Sequence, residues 1–135
     1  MRQRDYETQR RGRIRTFEDL DVWQMGSDLT LKIYEITGHF PKEEIYGMTS
    51  QIKRAALSVP ANISEGFGRY HFMDKAKFYL NARGSLYELK SHLLIAKELG
   101  FIRDDITASV FQEIDNLSLK LNNLINKTRG LKERY

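Results

Sequence analysis

The sequence predicts an all-α fold, an antiparallel up-down-up-down four-helix bundle. Three observations predict it. Apolar residues recur at steps of three and four along four separate segments. No segment alternates with the period of two that a half-buried strand requires. The segments are parted by short connections that hold the glycines and prolines able to stop a helix. Helices with one apolar seam each, joined by short connections, bury those seams best as antiparallel neighbours. A chain of 135 residues suits one well-cored domain. The expected division is a basic arm over residues 1–15, a bundle over 16–130 and a tail over 131–135.

The arm has almost no apolar content and no period, which predicts disorder. Arg2, Arg4, Arg10, Arg11, Arg13 and Arg15 face only Asp5 and Glu7 there, so the arm holds the whole net charge of +4. Such an arm either solubilises the chain or clamps phosphate, for which the guanidinium fork is well shaped. Thr16 with Asp19 three residues on forms a capping box that opens the first helix. Val22, Gly26, Leu29, Ile33, Ile36 and Phe40 share one face of it, widened by Trp23, Thr30, Tyr34 and Thr37. Gly38 and Pro41 end it.

The second helix starts near Lys42 to Glu44, with Ile45, Met48, Ile52, Ala55 and Val59 as its seam. Pro60 has no N–H for the carbonyl of Ala56 and its ring crowds that carbonyl, so a kink is expected there. Helix resumes through Ile63 and Glu65, and Gly66 and Gly68 stop it. The third helix runs from Phe72 or Asp74 to Leu99, with Gly100 as its cap. Its seam is Tyr79, Ala82, Leu86, Leu89, Leu93 and Ala96, and Gly84 with Ser85 beside that seam are expected to let another helix approach closely. Asp104 or Asp105 caps the fourth helix, whose seam is Val110, Ile114, Leu117, Leu121, Leu124 and Thr128.

Composition excludes several chemistries. With no cysteine there is no disulfide, thiolate zinc site or cysteine nucleophile. No apolar run approaches the roughly 18 residues that span a bilayer, and the N-terminus lacks the apolar core of a signal peptide. A soluble, cytoplasmic protein without a membrane partner is expected. Gly66-Phe67-Gly68 opens like a dinucleotide fingerprint, but His71 stands at the third glycine position and no strand precedes it. Glu35 with His39 and Glu88 with His92 are four apart, where a di-iron bundle motif needs three. Ser64, His71 and Asp74 are near in sequence but have no triad geometry to recommend them. The expectation is therefore no catalytic residue, no metal, no cofactor and no enzymatic activity.

Charge is more informative. Beyond the arm the chain balances, yet acids exceed bases by five over residues 16–50 and bases exceed acids by five over 51–103. Arg83, Lys90 and Lys97 recur every seven residues, as do Asp21, Asp28 and Glu35, so each trio shares a helix face with a drift of about 20° per repeat. The basic ladder either tracks a phosphate backbone or pairs with the acidic ladder, within the bundle or between subunits. The candidate nucleic-acid contacts are Arg10, Arg11, Arg13 and Arg15 of the arm with Lys53, Arg54, Arg69, Lys75, Lys77, Arg83 and Lys90. Phe67, Tyr70, Phe72, Phe78 and Tyr79 crowd the connector between helices two and three, as core packing or as a stacking platform or oligomer contact.

Three stretches carry a resemblance. They are Phe17-Glu18-Asp19-Leu20-Asp21-Val22-Trp23, then Ser58-Val59-Pro60-Ala61-Asn62-Ile63-Ser64-Glu65-Gly66-Phe67-Gly68-Arg69, then Gly84-Ser85-Leu86-Tyr87-Glu88-Leu89. In this order, over about residues 16–128, they resemble the bacterial four helix bundle proteins encoded in intervening sequences of the 23S ribosomal RNA gene. The chain also looks related to the accessory variability determinant of diversity-generating retroelements. The resemblance implies an antiparallel four-helix subunit assembling into a homopentameric ring, and a nucleic-acid role, with RNA the expected partner and DNA the other. It implies no established enzymatic activity. The alternative it leaves is an oligomeric scaffold for a protein partner such as a reverse transcriptase. The body here is charge-balanced, a departure from the strongly basic surfaces of the retroelement relatives.

Overall fold

The computed structural model describes residues 14–133. Helix α1 spans Asp21–Thr37, α2 Met48–Phe67, α3 Phe72–Glu98 and α4 Asp104–Glu133, and among the described residues there is no strand. The residue numbers of contacting pairs rise along one helix as they fall along its neighbour. Gly26, Thr30 and Tyr34 of α1 meet Pro60, Ala56 and Lys53 of α2 in turn. Arg83, Tyr87 and Lys90 of α3 meet Asn122, Ser118 and Asp115 of α4. Asp21 and Lys32 of α1 meet Lys120 and Glu113 of α4. Each of these pairs therefore runs antiparallel, as short connections favour.

The seams converge on one core. The α3 set of Tyr79, Ala82, Leu86, Leu89, Leu93 and Ala96 is buried throughout. In α4 the buried residue is Ile125 and Leu124 is only partly covered, because over five turns a period of 3.6 outruns a strict alternation of four and three. The helix also continues to Glu133, past the boundary expected at residue 130. Gly100 closes α3 at φ 79°. The Phe101 amide donates to the Ala96 carbonyl and the Gly100 amide to that of Lys97, each over 2.9 Å, a Schellman closure.

Three starts differ from expectation. The capping box forms, with the Thr16 hydroxyl accepting from the Glu18 amide at 3.0 Å and Asp19 accepting from the Thr16 amide at 3.1 Å. It opens a separate 3-10 turn over Phe17–Asp19, and α1 begins afresh at Asp21. Lys42–Glu44 is likewise a 3-10 turn, and α2 begins only at Met48, so Ile45 is exposed instead of lying in a seam. Asp104 and Asp105 lie in the first turn of α4, where carboxylates complement the positive end of the helix dipole, and neither precedes it as a cap.

Pro60 lies inside α2, whose helical run does not break there, and it is buried. The carbonyl of Ala56 that it orphans is met from the preceding helix, α1. The single hydroxyl hydrogen of Thr30 is shared between Gly26 O at 2.8 Å and Ala56 O at 3.0 Å. The helices are close at Gly26, but a Cβ there would sit 3.4 Å from Val59 and 3.6 Å from the Pro60 ring, ordinary contact distances. The tightest approach is at Gly66, where a Cβ would fall 2.8 Å from the Tyr79 ring and 3.0 Å from Phe78. Gly84, expected to serve that purpose, is exposed and nothing lies within 4 Å of its Cβ direction.

Candidate nucleic-acid interface

Arg83 and Lys90 of the third helix, and Arg69 and Lys75 at the α2–α3 corner, are tied into the fold. Lys90 donates to Asp115 at 3.0 Å and lies over the Phe111 ring, and Arg83 donates to Asn122 at 2.8 Å. Their partners are on α4, and the acidic ladder of α1 supplies neither of them. Asp21 of that acidic ladder instead accepts from Lys120. Arg69, which sequence alone leaves without structural work, pairs with Glu65 at 2.9 Å and sits 4.5 Å above the Phe78 ring. Lys75 donates to the Phe67 carbonyl at 2.7 Å, filling an acceptor that the end of α2 leaves open, and partial burial pulls its ammonium pKa down. Lys77 and Lys97 are exposed and have no ion-pair partner among the described residues.

The corner's aromatics divide in the same way. Tyr79 is buried, and that burial pushes its phenol up to about 12. Phe67 and Phe78 are half-covered beneath Lys75 and Arg69. Tyr70 stands out into solvent, edge-on to the His71 ring. These contacts make the corner packing first, with only Tyr70 offering an open ring.

The other end of α2 is different. A cavity of about 780 Å³ lies between the end of α1, the Pro41–Tyr46 connection and the first turns of α2. Lys42, Lys53 and Arg54 line it, with Tyr34, Ile45, Tyr46, Thr49 and Leu57, and no carboxylate is among its lining residues. Lys53 lies 4.7 Å from the centroid of the Tyr34 ring, which holds its ammonium toward this end. Tyr46 is 96% exposed. The hydroxyl oxygen of Thr49 is buried and has no partner among the described residues. Of the candidates from sequence, then, Lys53 and Arg54 are the two that line this cavity together.

Arg15 is exposed, its amide donating to Asp19 at 2.8 Å, while Arg10, Arg11 and Arg13 lie outside the described residues. Sequence reasoning missed Lys42, Tyr34, Tyr46 and Thr49. Tyr34 was assigned to the buried face of the first helix, yet it is exposed. The available signal was the bracket from Pro41 to Gly47, two breakers around a tyrosine and a lysine, which marks a connection where a helix was expected.

Metal chemistry has little to work with in these residues. Among the described residues no group of three or more His, Asp or Glu is placed to hold an ion, and His92 and Glu88 meet each other at 3.2 Å. No helix of the described residues is long and apolar enough to cross a membrane.

Comparison with known proteins bears on this arrangement. A search of the curated proteins finds no match to the chain. The family model described as 23S rRNA-intervening sequence protein matches residues 18–123, a span that takes in α1, α2, α3 and most of α4. The chain belongs to the 23S rRNA-intervening sequence protein family.

Proposed function

We propose that this protein is a non-enzymatic, self-associating helical bundle that binds RNA at the α1–α2 end. The observation that supports this reading is the cavity lined by Lys42, Lys53 and Arg54 with no carboxylate among them, beside the exposed ring of Tyr46. Cations attract the phosphate backbone without regard to sequence, and an aromatic face accepts any base. The arginine-rich arm adds a second, sequence-independent source of attraction. Self-association has its own support. Tyr87 and Leu94, seven residues apart, leave a short apolar stripe exposed along α3, with Ile95 and the cap residue Leu99 exposed near its C-terminal end, although the inner side of that helix already fills the core. A second copy of the chain is the occupant we assign to the stripe, in a pentamer.

Salt-dependent binding tests the first part. The full chain, titrated with fluorescent oligouridylate, should bind with an affinity that falls steeply as salt rises. Lys53→Gln and Arg54→Gln should each lower the log–log slope by about 0.7, the value of one single-strand phosphate contact. Slopes equal to that of the unchanged protein would remove the cavity from the interface. Light scattering tests the second part: Leu94→Glu with Ile95→Glu should reduce the mass of the assembly, and an unaltered mass would place the interface elsewhere.

A further inference from the structure

We infer that the α1–α2 cavity is a subsite for one unpaired nucleotide, with its phosphate at the start of α2 and its base on Tyr46. The inference rests on the RNA reading above and narrows it from a charged surface to a single strand with an unstacked base.

The first observation is shape. A concavity of about 780 Å³ falls in the size range of sites that enclose a small ligand, about 300–1,000 Å³. A duplex backbone is convex and would meet its rim. A splayed nucleotide can enter.

The second is the set of donors. The first turn of a helix has amides with no carbonyl of its own helix to reach. In α2 the Met48 amide donates to Glu44 Oε1 at 3.1 Å and the Gln51 amide to Gly47 O at 3.1 Å. Thr49 and Ser50 lie between them, and both line the cavity. Glu44 already caps this helix end with one carboxylate, so a phosphate here depends on Lys42, Lys53 and Arg54 to outweigh that negative neighbour. Lys53 and Arg54 follow one turn later, within the same lining.

The third is the hydroxyl of Thr49. The residue is only 7% exposed, and its oxygen has no partner among the described residues. A buried hydroxyl left unpaired is costly and uncommon in folded proteins. Thr49 is among the residues lining the cavity, and a ligand oxygen there would give the hydroxyl a partner once the cover over it shifts. Tyr34 is occupied by Lys53 at 4.7 Å, which leaves Tyr46, 96% exposed, as the ring on which a base can stack.

The test uses the full chain with four small probes and two RNAs. Uridine and adenosine monophosphates, ribose 5-phosphate and inorganic phosphate are titrated while amide chemical shifts are followed. Oligouridylate and a blunt RNA duplex of equal length are titrated by fluorescence anisotropy. Both nucleotides should move the amides of Thr49, Ser50 and Tyr46, and ribose 5-phosphate should move those of Thr49 and Ser50 alone. Tyr46→Ala should weaken oligouridylate binding about tenfold and leave the duplex unchanged, in line with the energy of one stacked base. Thr49→Val, close in shape, should weaken it about fivefold, with circular dichroism confirming the fold of both variants. If Tyr46→Ala and Thr49→Val are silent while Lys53→Gln and Arg54→Gln still weaken both RNAs, the nucleotide subsite is overturned and the RNA reading survives. If neither RNA binds the unchanged protein, both fall together.

Discussion

The two ends of α2 hold similar residues, aromatic rings beside arginines and lysines, and put them to opposite uses. At the C-terminal end, Arg69 is locked between Glu65 and the Phe78 ring, and Lys75 closes on the Phe67 carbonyl. Asn62 donates to the Ser58 carbonyl, and Gly66 receives the Tyr79 ring. At the N-terminal end, Lys42, Lys53 and Arg54 surround a cavity with no carboxylate in its lining, and Tyr46 reaches fully into solvent. The stretch from Ser58 to Arg69 is the more unusual as sequence, because a proline inside a helix and two glycines at its end are rare together. Their rarity reflects geometry, since Pro60 needs the Thr30 hydroxyl for the carbonyl it orphans and Gly66 needs to have no side chain. Uncommon residues here mark architecture. Common residues, Lys42 and Arg54 with no ion-pair partner among the described residues and Lys53 on a tyrosine ring, mark the interface we propose.

The contrast is sharpest in stability. Gly66→Ala pushes a methyl into buried Tyr79, within 2.8 Å of its ring, and should destabilise the fold by about 1–3 kcal/mol in urea unfolding. An unchanged midpoint would mean that α2 and α3 can part at no cost and that the corner is not the closely packed end. Thr30→Val should cost about 1–2 kcal/mol, because the buried Ala56 carbonyl loses its donor while shape is kept. Arg69→Ala should cost about 0.5–1 kcal/mol, from an exposed ion pair and a ring contact. It should leave oligouridylate affinity alone, and a loss of affinity would give the corner a binding role as well. Gly84→Ala, where the added methyl meets nothing within 4 Å, should stabilise by about 0.5–1 kcal/mol through helix propensity.

Titration adds an independent check on the corner. The folded-state pKa of Tyr79 is raised by burial from 10.0 to about 12. Below pH 10 both states hold the proton, so the full contribution of the phenol is present. Between pH 10 and about 12 the unfolded chain releases the proton while the folded one keeps it, so stability falls as pH rises. Tyr79→Phe should flatten that part of the stability profile, and an identical slope in both proteins would mean the ring is not enclosed as described.

Much of the fold was legible because seams obey a period that survives any detail of the ends. All six seam residues foreseen in α3 are buried. The misses have physical causes. A short 3-10 turn at Lys42–Glu44 satisfies the same local pattern as a helix start, and only the tertiary route of the chain shows that α2 waits until Met48. Gly84 and Gly66 cannot be told apart by type, since what matters is whether a Tyr79 ring or open solvent faces the missing Cβ. The candidate cations were chosen by sign and spacing, and these do not reveal Asp115 or Asn122 on the neighbouring helix; Glu65, one turn before Arg69, was open to the i,i+4 rule and passed over. Lys53 and Arg54 differ from Lys90 only in what packs opposite them.

Hydrogen exchange read by mass spectrometry, with and without oligouridylate bound to the full chain, tests the central claim most directly. The account predicts added protection over residues 41–57 and none over residues 58–79. Protection of the corner with no change at the start of α2 would contradict it.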